Sequence, residues 1–398
     1  MKLGSLFDGS GTCPLAARMC GVEPVWASEI EPYPIRVTKK NFPGMRHLGD
    51  IKQIDGAKIE PVDVITFGSP CQDLSTAGKQ TGLIDGERSS LFFEAIRIIR
   101  EMREATDGKY PRYAVWENVP GAFGSNRGRD FLAVLRAFAG VAGDGDDVPA
   151  PEGKGDRLGW SKSGCIMGDG YSIAWRQLDA QYWGVPQRRR RIYLVADFDG
   201  QRAGKILFER EGLREDFAPG AGARKRAAAE TAGGAGGSDQ PAEMIGAFMA
   251  GQGAKAGSIA YSETVAPTLR AGAGGLLRGA TVCIENTVYD MTHASDVIRE
   301  YAGASQTLAA RMGTGGNQIP LKLDEARPPR KYVLRRLTPL ECCRLQGFPD
   351  DWTADVEGSD AAQYKMWGNG MALPCVLYVM QGIAEAARTQ TGLYGGDE

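Results

Sequence analysis

Cys71 and Glu117 are the residues of this chain whose types and settings point to covalent chemistry. Each follows a short apolar run, one over residues 62–69 and one over 113–116. Runs this short and this apolar read as strands buried on both faces of a parallel sheet. Pro70 cannot continue a strand, so Cys71 stands at a strand end, where open α/β sheets bind ligands. A thiol and a carboxylate at two strand ends make a nucleophile with an acid partner. A lone cysteine is more often a small buried hydrophobe, so the rest of the chain must decide.

Residues 187–193 read Gln-Arg-Arg-Arg-Arg-Ile-Tyr. Alternate side chains of a strand share a face, so Arg189 and Arg191 project together and Arg188 and Arg190 the other way. Cations beside a thiol favour the thiolate. That matters here because the chain has two histidines, His47 and His293. So few argue against a zinc site and against a Cys–His pair. The eight cysteines include no CxxC pair, and no secretory signal precedes them. This pattern predicts a reducing, cytoplasmic setting with no metal.

Residues 6–12, Leu-Phe-Asp-Gly-Ser-Gly-Thr, link a first apolar run to a helix. Phe7, Asp8, Gly9 and Gly11 are cofactor candidates there, because two glycines let backbone amides approach a ligand at a helix N-terminus. The second strand ends at Glu29-Ile30, and a carboxylate so placed can hold a pair of ribose hydroxyls. Gly49-Asp50-Ile51 closes the next unit. Taken singly, each of these features is more often a helix cap or a surface acid than a ligand contact.

The elements that must position these groups alternate over residues 1–197, with strands predicted at 3–7, 24–28 and 191–196 and helices at 15–20, 91–102 and 131–138. This βαβ rhythm predicts an α/β fold, a doubly wound, mostly parallel sheet of Rossmann-like type. The 398 residues, 24% charged and 42% hydrophobic, suffice for one large domain and a smaller one. A formal charge of −2 neither announces a nucleic-acid partner nor excludes a local basic stripe. Residues 141–160 read as loop and 217–240, rich in alanine and glycine, as a linker. Segments 267–275 and 306–316 echo each other and read as two loop-bearing hairpins. Apolar order returns at 333–337, Thr338 caps a helix opening on Pro339, and a final helix is predicted at 374–387. Three segments result: 1–197, an irregular 198–333, and a return through 334–398. No apolar run approaches the ~18 residues of a membrane span.

In this order, FxGxG, Glu29, Gly-Asp-Ile, Pro-Cys-Gln at 70–72, Glu-Asn-Val at 117–119, the arginine run, Leu-Thr-Pro-Leu-Glu-Cys-Cys-Arg-Leu-Gln-Gly-Phe-Pro at 337–349 and a late Gly-Asn at 368–369 resemble the DNA cytosine-5 methyltransferase family. The likeness covers 1–197 and 334–385, and the run at 174–187 is similar to phage and prophage members. The resemblance implies S-adenosylmethionine as cofactor and double-stranded DNA as partner. It implies that Cys71 adds to carbon 6 of cytosine and that Glu117 is the acid at ring nitrogen 3. Arg191 would contact the base carbonyl, and Arg189 would support it or a phosphate. Phe7 would stack on adenine, Gly9 and Gly11 would give backbone room, and Glu29 would bind ribose. Asp50 with Ile51 would bracket the adenine, and Asn369 would return beside the first loop. Residues 72–82 would be the loop closing over a flipped-out base. The 198–333 segment would be the target-recognition domain of a monomer with no obligatory protein partner, protecting DNA from restriction. Thr12 stands where a glycine is usual, Gly370 where serine is common, and Ile30 replaces a frequent aromatic. Three rivals are a tRNA cytosine methyltransferase, a non-catalytic DNA-binding relative and a flavin or nicotinamide oxidoreductase. The long insert disfavours the first, the retained Cys71 and Glu117 the second, and the third rests on FxGxG alone.

Overall fold

A computed structural model of the chain describes residues 1–70, 90–143, 145, 148–208 and 332–392, together with the strand residues 246–249, 260–262, 280–285, 289–290 and 299–300. One sheet dominates. Its strands in chain order are β1 (Lys2–Leu6), β2 (Glu23–Ser28), β3 (Arg46–His47), β4 (Val64–Phe67), β5 (Tyr113–Asn118), β6 (Ser163–Met167), β7 (Ser172–Asp179) and β8 (Arg190–Asp197). In space they run β3-β2-β1-β4-β5-β8-β7-β6. The first five pair in parallel, and β8, β7 and β6 continue antiparallel. The chain winds outward from β1 to β3 and then returns to place β4 on the other side of β1. That reversal opens a crevice at the carboxyl ends of β1 and β4, the place where doubly wound sheets bind ligands.

Both faces of the sheet are covered, which is why its central strands are continuously apolar. On one face Val64, Val115, Tyr193 and Val195 pack with α1 (Thr12–Met19) and with Val376, Val379 and Ile383 of the last helix, Leu373–Gly392. On the other, Ile65, Phe67, Trp116 and Leu194 meet helices Ser90–Ala105 and Arg129–Ala139 through Phe92, Phe131 and Phe138. Ile96, Ile98 and Ile99 of the first of these helices are all buried.

A second, four-stranded antiparallel sheet is formed by Ala260–Ser262, Gly246–Met249, Ala280–Glu285 and Tyr332–Arg336, in that order. Tyr332–Arg336 pairs in this second sheet, and Leu337, the next residue, is buried in the large core. Thr338 then caps helix Pro339–Leu345 reciprocally: its hydroxyl accepts the Glu341 amide, and the Glu341 carboxylate accepts the Thr338 amide. The linker 217–240 and the echoing segments 267–275 and 306–316 lie outside the described residues. Among the described residues, no single helix is long and apolar enough to cross a membrane.

Candidate active site

Glu117 is the penultimate residue of β5, paired opposite Tyr193 of β8. It is 9% exposed and lies 3.0 Å from the Arg191 guanidinium. Burial pushes its carboxyl pKa up, while Arg191 and Arg189 pull it down. Behind it is a small cavity lined by Cys13, Thr66, Phe67, Val115, Tyr193 and Met371.

The period of β8 sends its arginines as the alternation requires. Arg190 points outward and pairs with Asp179 at 3.2 Å. Arg191 turns toward Glu117. Arg189 is 2% exposed and donates to the carbonyls of Gly368, at 3.3 Å, and Gly370. A guanidinium so buried and so bonded does not reach a phosphate, and that part of the expectation is corrected. Arg189 instead holds the backbone on either side of Asn369, the exposed last residue of helix Asp360–Asn369. Gly370 lies so close to the first loop that a Cβ there would stand 2.9 Å from the Ser10 hydroxyl. Glycine at this position, where serine is usual in the resembled family, suits this close approach to Ser10.

Cys71 and residues 72–82 lie outside the described residues. The strand that delivers them is well anchored. Trp116 donates to the Ser69 hydroxyl at 3.2 Å, and the Asn118 amide reaches the Ser69 carbonyl at 3.5 Å. A Cβ on Gly68 would meet the Met371 methyl at 2.6 Å and the Glu117 carboxylate at 3.3 Å, so the chain passes close to the acid here and a larger residue would make Met371 shift. Gly68, Ser69 and Asn118 carry no sequence signal of a role beyond position, next to the thiol and the acid.

At the crevice, Phe7, Gly9 and Gly11 adopt left-handed backbone at φ 54°, 56° and 79°. For Phe7 that costs roughly 1–2 kcal/mol, a strain more common at functional turns than elsewhere. The Gly9 amide donates to one Glu29 carboxylate oxygen at 2.9 Å, and the Ile30 and Glu31 amides donate to the other at 2.8 and 2.9 Å. Three amides leave about one of a carboxylate's roughly four acceptor positions for a hydroxyl. Ile30 is 67% exposed beside it, an apolar side chain left in water. Asp50 accepts the Lys52 amide at 3.0 Å and begins a short 3-10 turn, Ile51–Gln53. Ile51 is 4% exposed and packed in the core with Ile54 and Ile98, so its side chain cannot bracket a ligand as expected.

Asp8 is buried, accepts the Ser5 hydroxyl at 2.6 Å, and leaves its second oxygen without a hydrogen-bond donor among the described residues. Burial pushes its pKa up to about 7. An unfolded aspartate ionises near about 4, so between these values the folded chain binds the extra proton and stability falls as pH rises. Asp8→Asn should therefore raise the melting temperature more at pH 8 than at pH 5. An equal difference at both pH values, read by calorimetry, would contradict this.

Residues 1–141 and 243–385 match the family described as C-5 cytosine-specific DNA methylase. Among similar relatives is a protein of Escherichia phage P1 named DNA N-6-adenine-methyltransferase, 29% identical over 97% of this chain. The chain spans 61% of that relative's length. The type II methyltransferase M1.ScrFI of Lactococcus lactis subsp. cremoris is 26% identical over 96% of this chain and 78% of its own. The type II methyltransferase M.Bsp6I of Bacillus sp. is 24% identical over 96% and 98%. Of solved structures, the S. pombe Dnmt2 methyltransferase superposes with a TM-score of 0.55 at 16% identity, over 97% of this chain and 99% of that one. A putative DNA modification methyltransferase encoded within an E. coli prophage gives 0.52 at 16%, over 98% and 99%. At that identity the two structures speak for the fold.

Proposed function

Because the chain belongs to the C-5 cytosine-specific DNA methylase family, we propose that it methylates carbon 5 of a cytosine within a specific duplex DNA sequence, through a covalent adduct of Cys71. The observation that carries the proposal is the buried Glu117 carboxyl, ion-paired to Arg191 beside the strand that delivers Pro70-Cys71.

Methyltransferases of this family and fold use S-adenosylmethionine. The crevice residues fit it: Glu29 has acceptor capacity for ribose, Ile30 offers an exposed apolar face to the adenine, and Gly9 has open space where a Cβ would stand. Phe7, Asp8, Gly11, Asp50, the Ile51 backbone and Asn369 complete the cradle in this reading. When bound, the cofactor supplies an electrophilic methyl group. The chain supplies the rest. Carbon 5 of cytosine is a poor nucleophile until the Cys71 thiolate bonds to carbon 6. Glu117, whose pKa burial raises against the pull of Arg191 and Arg189, donates in its acid form to ring nitrogen 3 as charge builds there. Arg191 orients Glu117 and faces the base carbonyl, and Arg189 is a positioning residue that fixes the backbone around Asn369. After the methyl is taken up, the carbon 5 proton leaves to a base and the carbon–sulfur bond breaks, its electron pair departing with sulfur to restore the thiolate.

In this reading the base is flipped out of the duplex. The 198–333 segment reads the sequence, 1–197 and the return segment form the catalytic domain, and the protein acts as a monomer that protects DNA from restriction. The name of the phage P1 relative raises a second base, the adenine amino group. Methylating an exocyclic nitrogen needs no thiol addition to the ring, and Pro70-Cys71-Gln72 with Glu117 would then be without use.

The test is DNA from cells expressing the chain, read by bisulfite sequencing and by mass analysis of its nucleosides. The expected result is 5-methylcytosine confined to one short sequence. N6-methyladenine in its place would overturn the base, and methyl groups found only in tRNA would overturn the substrate.

A further inference from the structure

Beyond Asn118 the chain turns through Pro120–Phe123 and Ser125–Gly128 before entering helix Arg129–Ala139. This turn lies at the carboxyl end of β5, the edge of the sheet that carries Glu117. A short antiparallel hairpin, Gly153–Lys154 with Arg157–Leu158, docks against it. The Trp160 indole donates to the Gly128 carbonyl at 2.7 Å, Arg127 pairs with Asp156, and the Arg157 guanidinium lies 3.1 Å from where a Cβ on Gly124 would stand. Asn126 and Arg127 are both left-handed, at φ 46° and 58°. Each costs about 1–3 kcal/mol unless its surroundings hold it, and the docked hairpin is what holds it.

The hairpin brings cations to that edge. Arg129, Lys154, Arg157 and Lys162 are exposed. Among the described residues no acid lies within ion-pair distance of any of them. The acids beside them in sequence are Asp130, Glu152 and Asp156; Asp130 is buried and accepts the Ser125 hydroxyl, and Asp156 is already held by Arg127. Lys162 immediately precedes β6, whose first residue pairs with Arg176 near the β7 end that carries Asp179, so it shares the edge. The chain as a whole is slightly acidic, at −2, so this cluster is local placement and no reflection of overall charge.

We propose that the hairpin is a DNA-backbone contact, in which Lys154, Arg157, Arg129 and Lys162 hold phosphates of the duplex beside the target base regardless of sequence. The proposal rests on the functional reading above and adds a surface that reading does not require. Phosphate contacts of this kind set register and orientation while bases are read elsewhere. They also leave a distinctive mark, because each neutralised phosphate releases counterions and steepens the salt dependence of binding.

The experiment compares the full chain with a Lys154→Gln/Arg157→Gln variant binding a short non-cognate duplex, by fluorescence anisotropy across a salt series. The slope of log affinity against log salt should become shallower by about 2, roughly one for each phosphate that is no longer neutralised. An unchanged melting temperature reports that the variant is folded. Identical slopes and affinities would overturn the proposal, as would a change seen with tRNA and not with duplex DNA. Methyl transfer is scored separately. No DNA methylation together with a changed slope would overturn the functional reading alone, whereas normal methylation with an unchanged slope would overturn the hairpin alone.

Discussion

Cys71→Ala should abolish methyl transfer, lowering kcat by at least about 10⁴-fold, the scale expected when a covalent nucleophile is removed. The reason is chemical. Without the thiol, carbon 5 of cytosine stays part of an aromatic ring and has no electron pair to offer. Neither histidine of the chain falls in the segments that carry the site motifs, so in the proposed mechanism activation of the thiol is assigned to neighbouring arginines, of which Arg191 turns toward Glu117. Loss of activity alone would not separate a nucleophile from a residue that shapes the pocket. A duplex with fluorine in place of hydrogen at carbon 5 does separate them. Fluorine cannot leave as a cation, so the thiol cannot be expelled and the adduct persists through denaturation. Wild-type protein should form that adduct and Cys71→Ala should not, while both still bind S-adenosylmethionine. Turnover by the alanine variant at near wild-type rate would sink the covalent mechanism.

The parts of this site that could be read from sequence are those set by local period and strand ends. The runs at 62–69 and 113–116 were legible because β4 and β5 are buried on both faces. Within β8 the two-residue repeat separates Arg190, paired with Asp179, from Arg191, turned toward Glu117, while Arg189 stands just before the strand begins. β5 runs further than its apolar run, through Glu117 and Asn118, because those polar residues keep pairing with Tyr193 and Ile192. What was not legible depends on distant partners. The carbonyls that hold Arg189 come from Gly368 and Gly370, far along the chain. Nothing local distinguishes an Ile51 that packs in the core from one that touches a ligand. β6 and β7 escaped because β6, at the edge of the sheet, alternates exposed and half-buried residues that include Ser163 and Gly164. Helix Pro32–Asn41 was hidden for a similar reason: prolines at 32 and 34 sit in its first turn, where their missing amides cost nothing.

Glu117→Gln is expected to lower kcat by about 10²–10³-fold, within the range typical of a removed general acid. Glutamine keeps the volume and can still donate a hydrogen bond, so the loss isolates the proton and not the shape. The pH profile carries the sharper signature. Burial raises the Glu117 pKa against the pull of Arg191, so the acid form is populated at lower pH and lost as pH rises. The Cys71 thiol runs the other way, active once deprotonated. Wild-type kcat/KM should therefore trace a bell, rising with the thiolate and falling as Glu117 ionises. In Glu117→Gln the falling limb should vanish and the rising limb should remain. A variant that keeps the alkaline fall would show that another group titrates there. The proton would then have to be sought elsewhere than at the carboxyl that β5 and Arg191 hold in place.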